Sequence, residues 1–348
     1  MCGGRVPEGV IPFVYEDFAA VAEERRPGRA LTYGMTSLRK LGSSDLEVFP
    51  LSLGGNVFGW TADEATSFAV LDAYTAAGGN FVDTADSYSA WVDGNSGGES
   101  ETVIGKWLAA RGNRDDVVIA TKVSQHPDFP GLTAGNIKAA ADASLQRLGT
   151  DHIDLYYTHF DKTEVPVEEI IGALDELVKA GKVRAIGASN ISAARLSESL
   201  AFSDREGLAR YVALQPHYNL VSRDTYEGEL ESVAARAGLA AVPYYALASG
   251  FLTGKYRPGA TVASPRAAGA GKHLDTDRGR KVLAALDDIA EAHTVPVATV
   301  ALAWLAAQPT VAAPIASART VEQLPALLKV ADLTLTEEEL ERLTAASA

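Results

Sequence analysis

Four residues that together could move a proton stand behind short apolar runs in this chain. Asp83 closes Phe81-Val82 after the Gly78-Gly79 break, and Tyr88 follows five residues later between Ser87 and Ser89. Lys122 ends the run 117–121, His159 ends 153–158, and Ser189-Asn190 end 183–188. Taken singly, such residues are commonly helix caps or solvated strand edges. Taken as a set, acid, phenol, ammonium and imidazole follow one strand pattern after another, and side chains at the carboxyl ends of neighbouring barrel strands converge on one mouth. Their shared chemistry would be proton delivery. Hydride addition to a carbonyl leaves an alkoxide, which needs a proton and electrostatic stabilisation. A phenol with its ordinary pKa of about 10 is a weak acid at neutral pH, and an adjacent ammonium would lower it. A carboxylate would hold that ammonium, and an imidazole would orient the carbonyl. Tyr88 is therefore read as general acid, Lys122 as its tuner, Asp83 as the lysine's partner and His159 as the carbonyl orienter.

Positioning these groups requires parallel strands. Residues 38–41 and 46–48 flank Gly42-Ser43-Ser44-Asp45, a β-hairpin pattern. Strands are then expected over 51–53, 80–83, 117–122, 153–158, 183–189, 211–215, 239–244 and 311–315. Helical segments follow at 65–77, 99–110, 133–148, 167–180, 192–200, 225–237, 277–293 with 297–307, and 320–328. Thr133 reads as the cap of its helix. Residues 246–276 read as a long loop rich in Gly, Ala and Pro, and 336–345 as an added helix opened by Thr336-Glu337-Glu338-Glu339. Eight strand–helix pairs describe an α/β fold, a single (β/α)8 TIM barrel with an N-terminal β-hairpin and a C-terminal extra helix. An open dinucleotide-binding sheet fits less well, because Gly54-Gly55-Asn56-Val57-Phe58-Gly59 lacks the middle glycine of G-x-G-x-x-G. Residues 1–34, with Pro7, Pro12, Pro27 and a charged run at 23–26, read as a loosely ordered extension ahead of a barrel over 35–348.

Composition narrows the partners. The 348 residues carry a formal net charge of −14, which disfavours nucleic acid. Cys2 is the only cysteine, so no intramolecular disulfide can form. No apolar run reaches the roughly 18 residues of a membrane span, and the amino terminus lacks a signal-peptide pattern. The expectation is a cytoplasmic protein acting on a small molecule, with its oligomeric state open. His152 and His159 are seven apart and would face opposite sides of one strand, so no metal site is expected.

Several longer motifs resemble the aldo-keto reductase family: Phe81-Val82-Asp83-Thr84-Ala85-Asp86-Ser87-Tyr88, Ala120-Thr121-Lys122, residues 144–159, Ile186-Gly187-Ala188-Ser189-Asn190, Gln215-Pro216-His217-Tyr218-Asn219, residues 243–256, and 314–324. The likeness runs in order from about residue 38 to the end. It implies a barrel that binds NADP(H) and reduces carbonyls, with Asp83, Tyr88, Lys122 and His159 at the family's four catalytic positions. It also implies that Ser189, Asn190 and Gln215 hold the nicotinamide carboxamide and that Tyr244, or Tyr245 beside it, stacks on the ring. Gly54, Gly55 and Asn56 would border the cofactor, and Leu247, Ser249, Gly250, Leu252 and Lys255 would belong to a loop closing over the pyrophosphate. Phe58, Trp60 and Trp91 either wall the substrate pocket or pack the loops. Arg319, with Ser317 and Gln323, is the local candidate for a 2′-phosphate near a helix start. Where the family often carries an adenine-contacting Asn, this chain has Pro325, Ala326 and Leu327. Two other readings remain: a nucleotide-sensing module like the channel β-subunits built on this barrel, and a Schiff-base aldolase with Lys122 as nucleophile.

Overall fold

Alternating burial builds the barrel. The computed structural model describes residues 37–259, 262 and 267–348; the expected N-terminal extension lies outside them. Eight strands form one sheet: β1 Ser52–Gly54, β2 Phe81–Asp83, β3 Val118–Val123, β4 Ile153–Thr158, β5 Val183–Ser189, β6 Tyr211–Gln215, β7 Ala240–Ala241 and β8 Ile315–Ala316. Neighbours run parallel in the order β7-β6-β5-β4-β3-β2-β1-β8. The ring closes between β7 and β8, where Ala241 N–H donates to Thr310 O at 2.7 Å, Ala312 N–H to Ala241 O at 2.9 Å and Ile315 N–H to Pro243 O at 2.9 Å. The (β/α)8 barrel is thus as expected.

Side chains on a strand alternate between faces. Phe81, Val118, Ala120, Leu155, Tyr157, Ala185 and Ala213 point inward and pack with one another. Val82, Ile119, Val123, Ile186 and Leu214 pack outward under the helices. Continuing the inward series in steps of two reaches Asp83, Lys122, His159, Ser189 and Gln215 at the carboxyl ends. The periodicity that fills the core therefore aims the polar residues into the mouth.

The amino end is plugged. Arg39–Lys40 pairs antiparallel with Glu47–Val48, and Leu41, Leu46 and Val48 join the inner core. Several expected boundaries shift for physical reasons. β7 and β8 are shorter than 239–244 and 311–315, because Pro243 and Pro314 have no N–H for the ladder. The helix expected at 225 begins as Glu229–Ala237, since Thr225 Oγ donates to the carbonyls of His217 and Ser222 in a turn. Thr133 makes no side-chain cap; Glu169 of the next helix accepts from Ala134 N–H at 2.8 Å instead. The long loop holds a 3-10 segment, Ala248–Thr253, and a short helix, Ala267–Gly271. A small hairpin, Gln125–His126 with Phe129–Pro130, was not expected. The terminal helix Glu337–Ala346 carries the expected capping box. Among the described residues no single helix is long and apolar enough to cross a membrane.

Candidate active site

Asp83, Tyr88 and Lys122 meet at the floor of the mouth. Lys122 Nζ donates to Asp83 Oδ2 at 2.7 Å, to Thr84 O at 2.6 Å and to the Tyr88 hydroxyl at 3.0 Å. Those three contacts use all three ammonium protons. Lys122 is fully buried and does not line the cavity, so the Schiff-base reading has no exposed amine to rest on. The Tyr88 hydroxyl lies 3.3 Å from Asp83 Oδ2, and Gln215 Nε2 donates to Asp83 Oδ1 at 2.8 Å. Asp83 is thereby held from both sides. His159 stands edge-on to Tyr88, ring centroids 6.1 Å apart, with its backbone tied to Val123 and Asn190. Its Nδ1 is buried without a partner. A bare lone pair there costs less than an orphaned N–H, so the ring proton belongs on Nε2.

Electrostatics depart from the sequence reading in one respect. Lys122 was expected to lower the Tyr88 pKa. Burial, and then the Asp83 carboxylate, instead push the phenol well above its ordinary value. Desolvation likewise pulls Lys122 down, against the pull of Asp83. The His159 imidazole is held well below its ordinary range by burial and then by Lys122. Tyr88 is therefore a protonated donor and His159 a neutral ring across the neutral pH range. Behind them Asp86 is buried with neither carboxyl oxygen hydrogen-bonded. Burial and then Glu101 push its pKa up to about 8, against Arg147 and Lys122.

A cleft of about 850 Å³ runs from this floor. It is lined by Gly54, Asn56, Trp60, Asp83, Tyr88, Trp91, His159, Ser189, Asn190, Gln215, Tyr244, Leu247, Ser249, Gly250, Lys255, Ser317, Arg319 and Gln323, all singled out from the sequence. Gly55, Phe58 and Leu252 do not line it. Phe58 and Leu252 are fully buried in the core, and a Cβ on Gly55 would meet Ser100 Oγ at 2.9 Å. Phe58 thus packs the loop rather than walling the pocket. Arg257, two residues beyond Lys255, is paired with Asp287 at 2.6 Å. Sequence reasoning missed Phe160, Gln125, Pro296 and Ala298 on the lining. A polar run end signals a strand's last residue, but nothing comparable marks the residue after it. Ala326 and Leu327, standing where the family often has Asn, do line the cleft.

The amide-binding candidates hold one another. Ser189 Oγ donates to Gln215 O at 2.9 Å, Asn190 Nδ2 donates to His159 O and Ser189 Oγ, and the Tyr244 hydroxyl donates to Asn190 Oδ1 at 2.7 Å. Tyr244 also stacks on His217 at 5.4 Å. Gln215 Oε1 and the second lone pair of Asn190 Oδ1 remain as acceptors for an amide NH2. At Gly54 a Cβ would come within 2.5 Å of Ser317 Oγ, so a larger residue there would displace Ser317 from Asn56 Oδ1. Arg319 and Lys255 also line the cleft, and among the described residues neither has a carboxylate partner. In a chain with net charge −14, two cations on the wall of a cleft without carboxylate partners among the described residues fit an anionic ligand.

With this geometry in view, relatives sharpen the class. The Aldo/keto reductase family profile matches residues 50–348, and the chain belongs to that family. It is 36% identical over 313 residues to the uncharacterized oxidoreductase YrpG of Bacillus subtilis, covering 87% of this chain and 93% of that one. It is 33% identical to norsolorinic acid reductase stcV of Emericella nidulans, over 85% of this chain and 77% of that one. It is 31% identical to aryl-alcohol dehydrogenase [NADP(+)] of Phanerodontia chrysosporium, over 85% and 82%. The chain is an oxidoreductase of the aldo/keto reductase family.

Proposed function

We propose that this chain reduces aldehydes or ketones to alcohols with NADPH, Tyr88 donating the proton. The carrying observation is Tyr88 at the cleft floor, 3.0 Å from Lys122 Nζ and 3.3 Å from Asp83 Oδ2. NADPH would supply the hydride. Ser189, Asn190, Gln215 and Tyr244 would hold its nicotinamide, and Arg319 and Lys255 its phosphates. The name of the relative that uses NADP(+) supports that choice.

The carbonyl oxygen would sit between the Tyr88 hydroxyl and His159 Nε2–H. A phenol whose pKa is raised keeps its proton until charge develops on that oxygen, and an alkoxide is basic enough to take it. The Lys122 N–H then faces the new phenolate, while Asp83 keeps the ammonium in place. The single cysteine of the sequence imposes no disulfide, which suits a cytoplasmic enzyme. The test is NADPH consumption over a panel of aldehydes and ketones, with NADH in parallel. Tight NADPH binding with no turnover on any carbonyl would favour the sensing module instead.

A further inference from the structure

Two neighbouring phenols on β4, Tyr156 and Tyr157, are fully buried, and among the described residues neither hydroxyl has a hydrogen-bond partner. They point to opposite faces of the strand. Tyr156 packs outward under the helices, and Tyr157 packs inside the barrel with Ala120, Ala185 and Ala213. A phenylalanine would fill that apolar layer without leaving a polar atom unpaired, and an unpaired buried hydroxyl is destabilising. Packing alone therefore does not account for the oxygen of Tyr157.

Its position does. Tyr157 stands in register with Lys122 on β3 and with Gly187 on β5. A Cβ on Gly187 would come within 2.5 Å of Tyr157 Cε1 and 3.1 Å of Ala213 O. The ring thus crosses β5 at its glycine, on the way to β6, where the next inward residue beyond Ala213 is Gln215. Burial and then the Asp83 carboxylate push the Tyr157 phenol well above its ordinary value, and the Gln215 side chain acts the other way. An amide N–H facing the phenolic oxygen acts in that sense.

Gln215 has such an N–H to offer. Its Nε2 carries two, and one donates to Asp83 Oδ1 at 2.8 Å. A single hydrogen bond leaves the amide plane free to swing about it. A second fixes the plane, and with it the direction of Oε1 on the cleft wall.

We propose that Tyr157 is a positioning residue for cofactor binding: its hydroxyl accepts the second Gln215 N–H as the nicotinamide seats, which aims Gln215 Oε1 at the carboxamide NH2. This rests on the nicotinamide reading of the cleft. Tyr157 itself touches neither cofactor nor substrate and acts through Gln215.

The test is calorimetric binding of NADP+ and of its 3-acetylpyridine analogue, whose methyl ketone has no NH2 to donate, to the full chain. The wild-type chain should bind NADP+ roughly tenfold more tightly than the analogue. Tyr157→Phe should shrink that ratio to about threefold, the share left to Asn190 Oδ1, with Tm unchanged or raised. Tyr156→Phe removes the other unpaired phenol and should leave the ratio as it is. An unchanged ratio in Tyr157→Phe, an equal fall in Tyr156→Phe, or a wild-type chain that does not discriminate between the two nucleotides overturns the positioning role and leaves the cofactor reading standing. A lowered Tm in Tyr157→Phe with the ratio intact would mark the hydroxyl as structural. Failure of the wild-type chain to bind either nucleotide would overturn the cofactor reading, and the role of Tyr157 with it.

Discussion

At the amino end of the barrel, Asp154 accepts from Arg114 at 2.7 Å, Arg184 at 2.8 Å and Ile119 N–H at 2.9 Å. At the carboxyl end, Asp83 accepts from Lys122 and Gln215, with the Tyr88 hydroxyl beside it. Both carboxylates are buried, yet their surroundings differ. Asp154 does not line the cleft, and Arg184 continues to Asp45 of the hairpin. Around Asp83 the structure leaves capacity unspent: a bare His159 Nδ1, an unbonded Asp86 carboxyl and an open cleft. Backbone strain follows the same division. Ser89, Ser124, Asn190, Tyr245, Ala248 and Ser249 have positive φ in loops at the carboxyl end, against Thr294 elsewhere. Asp154 is satisfied and serves stability; Asp83 sits in strained, underbonded surroundings, as suits a site for chemistry.

The largest expected effect tests the reactive end. Tyr88→Phe should slow single-turnover reduction roughly 10²–10⁴-fold, with cofactor affinity and Tm nearly unchanged. A near-normal rate would mean that the proton comes from another group. Asp154→Ala should do the reverse, removing about 3 kcal/mol of stability while leaving kcat per folded molecule intact. A selective loss of kcat in that variant would erase the distinction between the two ends.

Arg319→Ala should weaken NADPH by roughly 1.5–3 kcal/mol, the scale of a lost charge-assisted contact, and NADH far less. Equal losses would place the 2′-phosphate elsewhere. Asp86 gives a stability slope. Its folded pKa of about 8 lies above the ordinary carboxylate value of 3.8. The unfolded chain therefore holds fewer protons between those pH values. Stability from this group is present at low pH and is lost as pH rises from about 4 to 8, by up to about 1.4 kcal/mol per unit. Asp86→Asn should flatten that slope in denaturation curves taken across the range. An unaltered slope would show Asp86 ionised in the fold.

The smallest expected effect is a flat line. The His159 pKa is depressed and that of Tyr88 raised, so neither changes charge between pH 6 and 8, and reduction rates should be level there. A limb near pH 6.5 that disappears in His159→Gln would show the imidazole to be titrating in the open.

Much of the reactive end was legible because strand ends are marked. The same alternation that buries Phe81 and Ala120 delivers Asp83 and Lys122, and a polar residue closing an apolar run is visible in the letters. Phe160 was not legible, since an exposed Phe after His159 reads like any loop residue until the closed ring of strands sets it on the cleft wall. Nor was the sense of the Tyr88 shift: neighbours can be named from spacing, but desolvation depends on what covers them. Glu169 capping a helix 35 residues earlier is equally nonlocal. The prolines that shorten β7 and β8 were in plain sight, and their missing N–H groups could have been counted.

The plug at the amino end also bears on the order in which the chain can finish folding. Arg39 Nη1 donates to the carbonyls of Ala306, Val311 and Ala312 at 2.8, 3.2 and 3.3 Å, across 267–273 residues. At a synthesis rate of roughly 5–20 residues per second, the hairpin waits on the order of 13–55 s for these acceptors to be made. During that interval Leu41, Leu46 and Val48 have no complete barrel to fill, so the first of the described elements to be made is among the last to be secured.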